Sequence, residues 1–207
     1  MPMLLLAAAD LHGNQKKFDR ILQGIEEYSP HLVILAGDII HQSLQPLQDL
    51  IESLSIPVMV TQGNMDPSSL TLALSTPPAV DMTNKHQVLQ DLSFVGIGDS
   101  VPQDIYSEQY KKTLPLDTIH MDILISHRPP KGYQDNTSFS GHIGDEKVYK
   151  LVLRHHPRLL FCGHVHENPG YQKINDTVIL NCSVGHQGHF SFVTIDDTIT
   201  ITLAGYQ

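Results

Sequence analysis

A chain of 207 residues is long enough for one domain with a sizeable core, and it needs no disulfide or metal staple to fold. Its 22 acidic residues against 13 basic ones give a formal charge of -9, which argues against broad electrostatic binding to nucleic acid or to an anionic membrane. A phosphate-bearing substrate would have to be drawn in locally, by metal, and nothing in the sequence approaches the ~20 apolar residues of a membrane-spanning helix.

The first apolar run, LLLAAAD, has the length of a signal-peptide core, but no basic residue precedes it and it leads directly into Asp10 and His12. A buried first strand explains it better. A helix is expected over 14–28, with Asn14 as N-cap, Phe18, Ile21, Leu22 and Ile25 on one face, and Pro30 as the stop. Its amino end should point toward Asp10 and His12, where the partial positive charge favours anions. A strand over 32–37, a helix over 44–54, a strand over 57–61 and a helix after Pro67 continue a βα repeat, the signature of a right-handed parallel sheet. The second half is richer in strand, with candidates over 92–97, 123–126, 159–162, 177–182, 190–195 and 198–203, the last two joined by an Asp196-Asp197 turn. One helix interrupts them at 145–156, with acidic residues in its first turn and Pro157 after it. Pro and Gly concentrate over 128–144, which reads as a long loop over a site rather than a domain linker.

Five of these apolar runs end in a residue that can bind a divalent metal: Asp10, Asp38, Asn64, His127 and His164. In an open α/β sheet the carboxyl ends of the strands face one crevice, so groups remote in sequence can meet there. His12 and His166 each follow a strand-end ligand by two residues, within reach of the same site if the backbone turns off the strand. Seven candidate ligands suffice for two metals. Most of the 13 histidines must lie elsewhere. His155 and His156 fit a helix end, His31, His86 and His120 have no motif around them, and His41, His142, His186 and His189 fall in loops that could cover the metals. Cys162 and Cys182 lie in apolar strands without zinc spacing, which reads as reduced core thiols in a cytoplasmic protein.

Taken together, Asp10-x-His12, Gly37-Asp38, Gly63-Asn64-x-Asp66, Ser126-His127 and Gly163-His164-x-His166 resemble the calcineurin-like metallophosphoesterase family, in order, from Met3 to about Ser183. One such motif is weak, but five in sequence at strand ends rarely coincide by chance. The resemblance implies an α/β fold, a four-layer α-β-β-α sandwich with two central mixed sheets flanked by helices. It also implies a dinuclear centre in which Asp10, His12 and His166 bind one divalent ion, Asn64, His127 and His164 bind the other, and Asp38 bridges. Carboxylates neutralise charge, imidazoles set geometry, and the neutral Asn64 amide oxygen binds without adding charge; such mixed N and O ligands admit Mn, Fe, Zn, Ni or Co. Two ions ~3.5–4 Å apart can share a hydroxide that attacks phosphorus in line. Asp38, Asn64, Asp66 and His127 are the residues expected to carry catalysis, and Gly37, Gly63 and Gly163 are expected to let the backbone turn beside the ions.

One departure bears on mechanism. Family members often carry a histidine after the asparagine, thought to assist the leaving group, where this chain has Met65; a thioether cannot donate a proton at neutral pH. Asp66, without that partner, could cap the helix beginning at Pro67. The His127-Arg128-Pro129-Pro130 loop, with Gly132 and Asp135 following, resembles small phosphodiesterase-like members, and Gly37-Asp38-Ile39-Ile40-His41 lacks the arginine-containing continuation of protein phosphatases. A phosphodiesterase acting on a small phosphate ester or nucleotide is therefore favoured. A scaffold that keeps the fold without turnover, and a nuclease, stand as the alternatives, and a homo-oligomer is compatible with either. Arg128 reads equally well as a phosphate-neutralising residue or as a solvated loop arginine.

Overall fold

A computed structural model of the chain describes residues 2–99, 104–185 and 190–204. Two mixed sheets of six strands form its centre. The first contains β1 (Met3–Ala8), β2 (Leu32–Ala36), β3 (Val58–Thr61) and β4 (Ala79–Asp81) in parallel, with β13 (Phe190–Ile195) antiparallel to β1 on its far side and β14 (Ile199–Ala204) antiparallel to β13. In the second, β12 (Thr177–Asn181), β10 (Leu159–Cys162), β7 (Ile123–Ser126) and β6 (Leu92–Ile97) run parallel, and β11 (Gly170–Ile174) and β5 (Lys85–Leu89) close the edges antiparallel.

Strand periodicity sorts the side chains into layers. Along β1, Met3, Leu5 and Ala7 enter the cluster between the sheets, where they meet Phe94, Ile123, Ile125 and Phe161 of the second sheet. Leu6 and Ala8 point the other way, onto Phe18, Ile21, Leu47 and Leu50 of α1 (Gln15–Tyr28) and α2 (Gln45–Ser53). In the second sheet, Leu124 and Leu160 face outward onto Val148, Leu151 and Val152 of α5 (Glu146–His155) and onto Tyr110 of α4 (Glu108–Lys111). Three apolar interfaces separate four layers, helix, sheet, sheet, helix. Phe94 and Phe161 are fully buried at the centre, and truncating either to Ala should cost about 3–5 kcal/mol.

The helix signals act as expected. Asn14 accepts a hydrogen bond from Lys16 N as N-cap of α1, and Asp145 accepts one from Lys147 N as N-cap of α5. The helix expected after Pro67 is a single turn, α3 (Leu70–Ala73). The loop over 128–144 is not structureless: it carries a small hairpin of β8 (Asn136–Thr137) and β9 (Gly141–His142). Both cysteines are buried and free, their thiols near the carbonyls of Leu180 and Cys162. Among the described residues no helix is long and apolar enough to cross a membrane.

The two sheets are stitched together at the end that matters for chemistry. Ala9 N donates to Cys182 O at 3.0 Å and Val184 N to Ala9 O at 3.0 Å, so the continuation of β1 pairs with that of β12 across the sheets. The carboxyl ends of β1, β2 and β3 thereby face those of β7 and β10.

Candidate metal centre

The chain turns abruptly off β1, β2 and β10. Asp10, His12, Asp38 and His164 all have positive φ, at 62°, 50°, 53° and 68°. Left-handed backbone is uncommon outside glycine, although Asp and His enter it more readily than most residues; it costs about 1–3 kcal/mol per residue, a strain that clusters at functional sites. Hydrogen bonds between the turning segments hold it: Asp10 N to Gly37 O, His12 N to Asp38 O, and Gly163 N to His127 O, at 3.0, 2.9 and 2.9 Å. Of the three glycines expected to supply turns, only Gly37, at φ 86°, has positive φ. Gly63 and Gly163 are needed for close approach instead: a Cβ on Gly63 would collide with Asp38, and one on Gly163 with Ala9 and Asp10.

Five of the seven expected ligands fall in two overlapping groups. Asp10, His12 and His166 bring ligand atoms within 4.8 Å of one another, as do Asp10, Asp38 and His127. Asp10 is the carboxylate common to both, whereas Asp38 stands in the second. His12 Nε2 and His166 Nε2 are 3.4 Å apart. On the other side, His127 Nε2 lies 3.1 Å from Asn64 Oδ1, 3.3 Å from His164 Nδ1 and 3.4 Å from Asp38 Oδ2.

His127 Nδ1 faces the Ala36 carbonyl at 3.0 Å, which assigns the Nδ1 proton to that bond and leaves Nε2 as an acceptor among acceptors. Three lone-pair atoms, His127 Nε2, Asn64 Oδ1 and Asp38 Oδ2, thus meet at one point and call for a cation or a proton between them. A second observation concerns Asp10 Oδ1, which is buried and has no hydrogen-bond partner among the described residues, although His166 Nε2 lies 3.1 Å away, out of line. A buried carboxylate oxygen left unpaired is expensive. Both observations, and the mixture of carboxylate, imidazole and amide donors, fit divalent metal.

Charge at the centre is tuned accordingly. Burial would raise the Asp10 carboxyl, but His166 and His127 beside it hold it below its ordinary range. For Asp38 burial is likewise outweighed, here by His127 and by the Met65 N–H, which donates to Oδ1 at 2.7 Å. Burial, with His127 and Arg128 nearby, lowers His164 to about 4, so at neutral pH its imidazole is uncharged and able to ligate. His127 is raised: burial opposes its charge, but Asp38 and Asp10 outweigh it.

Asp66 does not cap a helix. Its Oδ1 accepts from Ile39 N at 2.8 Å and Ile40 N at 2.9 Å, and its Oδ2 from Gly63 N at 2.9 Å, so one buried carboxylate clamps the segment after Asp38 to the segment before Asn64. Burial raises its pKa against those three donors. Arg128 is not a solvated loop residue either, since it pairs with Asp99 and reaches His164.

Other residues support the centre from outside the donor set. Lys17 Nζ donates to Asp10 O at 2.7 Å. Asn181, the polar end of an otherwise apolar strand, donates to Val165 O and Asn168 O at 2.9 Å each, fixing the segment that holds His166. Asp135 accepts from Gly132 N and Gly144 N at 2.8 and 3.0 Å and pairs with His142 Nδ1 at 2.6 Å, rooting the 128–144 loop. The histidines without motifs have structural partners: His31 binds Leu4 N, His86 Ser93, His120 Asp122 and His155 Tyr106, while His156 ends α5. His41 is exposed, and His186 and His189 lie outside the described residues.

Comparison with known proteins identifies the family and the fold. Residues 3–168 match the family profile described as calcineurin-like phosphoesterase. The chain is 26% identical over 202 residues to an uncharacterized protein of Methanocaldococcus jannaschii, covering 87% of this chain and 88% of that one. Its fold is similar to a dimetal phosphatase from Danio rerio, with a TM-score of 0.67, 11% identity, and coverage of 97% of this chain and 95% of that one. It is also similar to an archaeal phosphodiesterase, with a TM-score of 0.61, 14% identity, and coverage of 97% and 99%.

Proposed function

The chain belongs to the calcineurin-like phosphoesterase family, and from that premise we propose that it is a dinuclear metal-dependent hydrolase of small phosphodiesters. The observation that carries this reading is the convergence of donors from five strand ends: two three-residue groups that share Asp10, with Asn64 and His164 beside His127, and a buried Asp10 Oδ1 with no hydrogen-bond partner among the described residues. Asp10, His12 and His166 would hold one ion, Asn64, His127 and His164 the other, with Asp38 between them. When bound, two such ions supply positive charge for the phosphoryl oxygens and lower the pKa of water, which provides the nucleophile.

The chain's own groups then divide the remaining work. Ala36 O fixes the His127 tautomer so that Nε2 faces the site, and the Met65 N–H orients Asp38. Asn64 is exposed, so its amide N–H groups can reach a substrate oxygen while Oδ1 faces His127. Asp66 acts at one remove, by holding the two segments that carry Asp38 and Asn64. The side chain at the position next to Asn64 is Met65, 49% exposed and unable to donate a proton. With no proton donor at that position, protonation of the leaving alcohol would fall to water, which favours esters whose alcohol is a good leaving group. The archaeal phosphodiesterase with the same fold is consistent with a diester substrate, and the acidic surface argues against a nuclease.

The test is direct. Purified protein given Mn²⁺, Ni²⁺ or Zn²⁺ in turn should hold up to two ions per chain and hydrolyse bis(p-nitrophenyl) phosphate. Asp38→Asn should lose metal and at least ~10³-fold in kcat/KM, on the scale of removing an electrostatic contact made at the reacting centre. Turnover that persists in that variant, or in excess chelator, would overturn the assignment.

A further inference from the structure

Arg128 follows His127 directly, yet its side chain turns to the opposite partner. Its Nε donates to Asp99 Oδ1 at 2.5 Å and its Nη2 to Asp99 Oδ2 at 3.4 Å, a two-point grip that fixes the plane of the guanidinium. Its Nη1 lies 3.2 Å from His164 Nε2, at the edge of the donor set. The arginine side chain is 33% exposed and Asp99 15% exposed, so the pair stands at the mouth of the site rather than in the core.

A guanidinium has five N–H donors. Asp99 takes two and His164 one, leaving two with no partner among the described residues. The contact with His164 is itself conditional. An imidazole that ligates through Nδ1, the atom facing His127, carries its proton on Nε2, and an arginine N–H then meets no lone pair there. Metal loading would thus free a third donor at the same edge.

We infer that Arg128 binds a non-bridging oxygen of the substrate phosphate, and that Asp99 positions it and sets the preference for a singly charged diester over a doubly charged monoester. The reasoning on charge is simple. With Asp99 ionised the pair has no net charge, so it offers oriented donors without the extra positive charge that would reward a dianion. Of the two groups, Arg128 touches substrate and Asp99 acts through Arg128. This inference rests on the phosphoesterase reading, which supplies the phosphate, but its test separates from it.

In metal-loaded protein, Arg128→Ala should raise KM for bis(p-nitrophenyl) phosphate and the inhibition constant of inorganic phosphate by about tenfold, the loss of one charge-assisted hydrogen bond, with kcat changed less than about threefold. Arg128→Lys should recover part of that loss. Asp99→Asn keeps an acceptor for Arg128 but removes the balancing charge, so the ratio of kcat/KM for p-nitrophenyl phosphate over the diester should rise at least about fivefold. Metal content is measured in each variant. Unchanged KM and phosphate inhibition in Arg128→Ala at full metal content would overturn the inference, and so would loss of metal in that variant, which would reassign Arg128 to holding His164. An Asp99→Asn enzyme with the wild-type substrate ratio would also overturn it. Should wild-type protein hydrolyse no ester, calorimetric binding of inorganic phosphate to the metal-loaded protein decides: weaker binding in Arg128→Ala supports the inference although the hydrolase reading fails, and equal binding removes both.

Discussion

Around Asp10 the carboxylate is sealed while its imidazoles, His12 and His166, remain 29% and 35% exposed. Around Asp38 the arrangement is reversed: the imidazole of His127 is fully buried with its tautomer set by Ala36 O, and the open position belongs to the neutral Asn64. The first group can adjust its rings to an incoming ion; the second is fixed before any ion arrives. Preorganisation and adaptability are thus divided between two halves of one centre, and the fixed half is the one tied into the core by backbone and side-chain hydrogen bonds.

Removing His127 should expose this difference most strongly. His127→Ala removes a fully buried imidazole and its bond to the Ala36 carbonyl, and should cost about 3–5 kcal/mol of stability along with turnover. His12→Ala should change stability by less than about 1 kcal/mol while weakening binding of its ion by roughly 10–100-fold, read by metal titration beside denaturant unfolding. Equal stability losses in the two variants would erase the distinction.

Next in size is the anchor of the 128–144 loop. Asp135→Asn should cost about 1–3 kcal/mol by unpairing the buried N–H and imidazole donors it serves. Burial alone would raise the Asp135 carboxyl, but His142 and the Gly132 and Gly144 N–H groups hold it below its ordinary 3.8. A depressed carboxylate contributes stability that is complete above its unfolded value and is lost as pH falls through the lower folded one. The stability gap between wild type and Asp135→Asn should accordingly persist at pH 5 and shrink as pH falls below about 4. A gap that closes near neutral pH would place the anchoring charge elsewhere. The smallest effect is reserved for the open half: Met65→His should raise kcat/KM severalfold on phenyl phosphates with poor leaving groups and little on good ones. A flat response across that series would mean that leaving-group protonation does not limit this enzyme.

Much of this centre was legible because buried parallel strands are written as uninterrupted apolar runs, so that β1, β2, β3, β7 and β10 each announce the polar residue at which they end. The resemblance of those endings to one family supplied the layers. What escaped notice lay where burial leaves no period. The edge strands β5 (KHQVL) and β11 (GYQKI) are mostly exposed, β4 has three residues, and β8 and β9 have two each. The supporting residues were hidden for a different reason. Asp99, Lys17 and Asn181 meet their partners only through tertiary folding, 29, 7 and 16 positions away, and single polar residues at such separations look like any other. Asn181 offered the one usable hint, an amide closing the apolar run TVIL.

The backbone pairing of Ala9 with Cys182 and Val184 has a thermodynamic consequence beyond geometry. Because Asp10, Asp38 and Asn64 follow strands of one sheet and His127, His164 and His166 follow strands of the other, each proposed ion would draw ligands from both and would be held only while the sheets remain docked. Such a ligand binds the native chain and not the unfolded one, so by mass action it adds about 2.7 kcal/mol at a free concentration one hundred times its Kd. The melting temperature of this protein should therefore climb with the logarithm of metal concentration, making heat resistance itself a gauge of how well the two halves are joined.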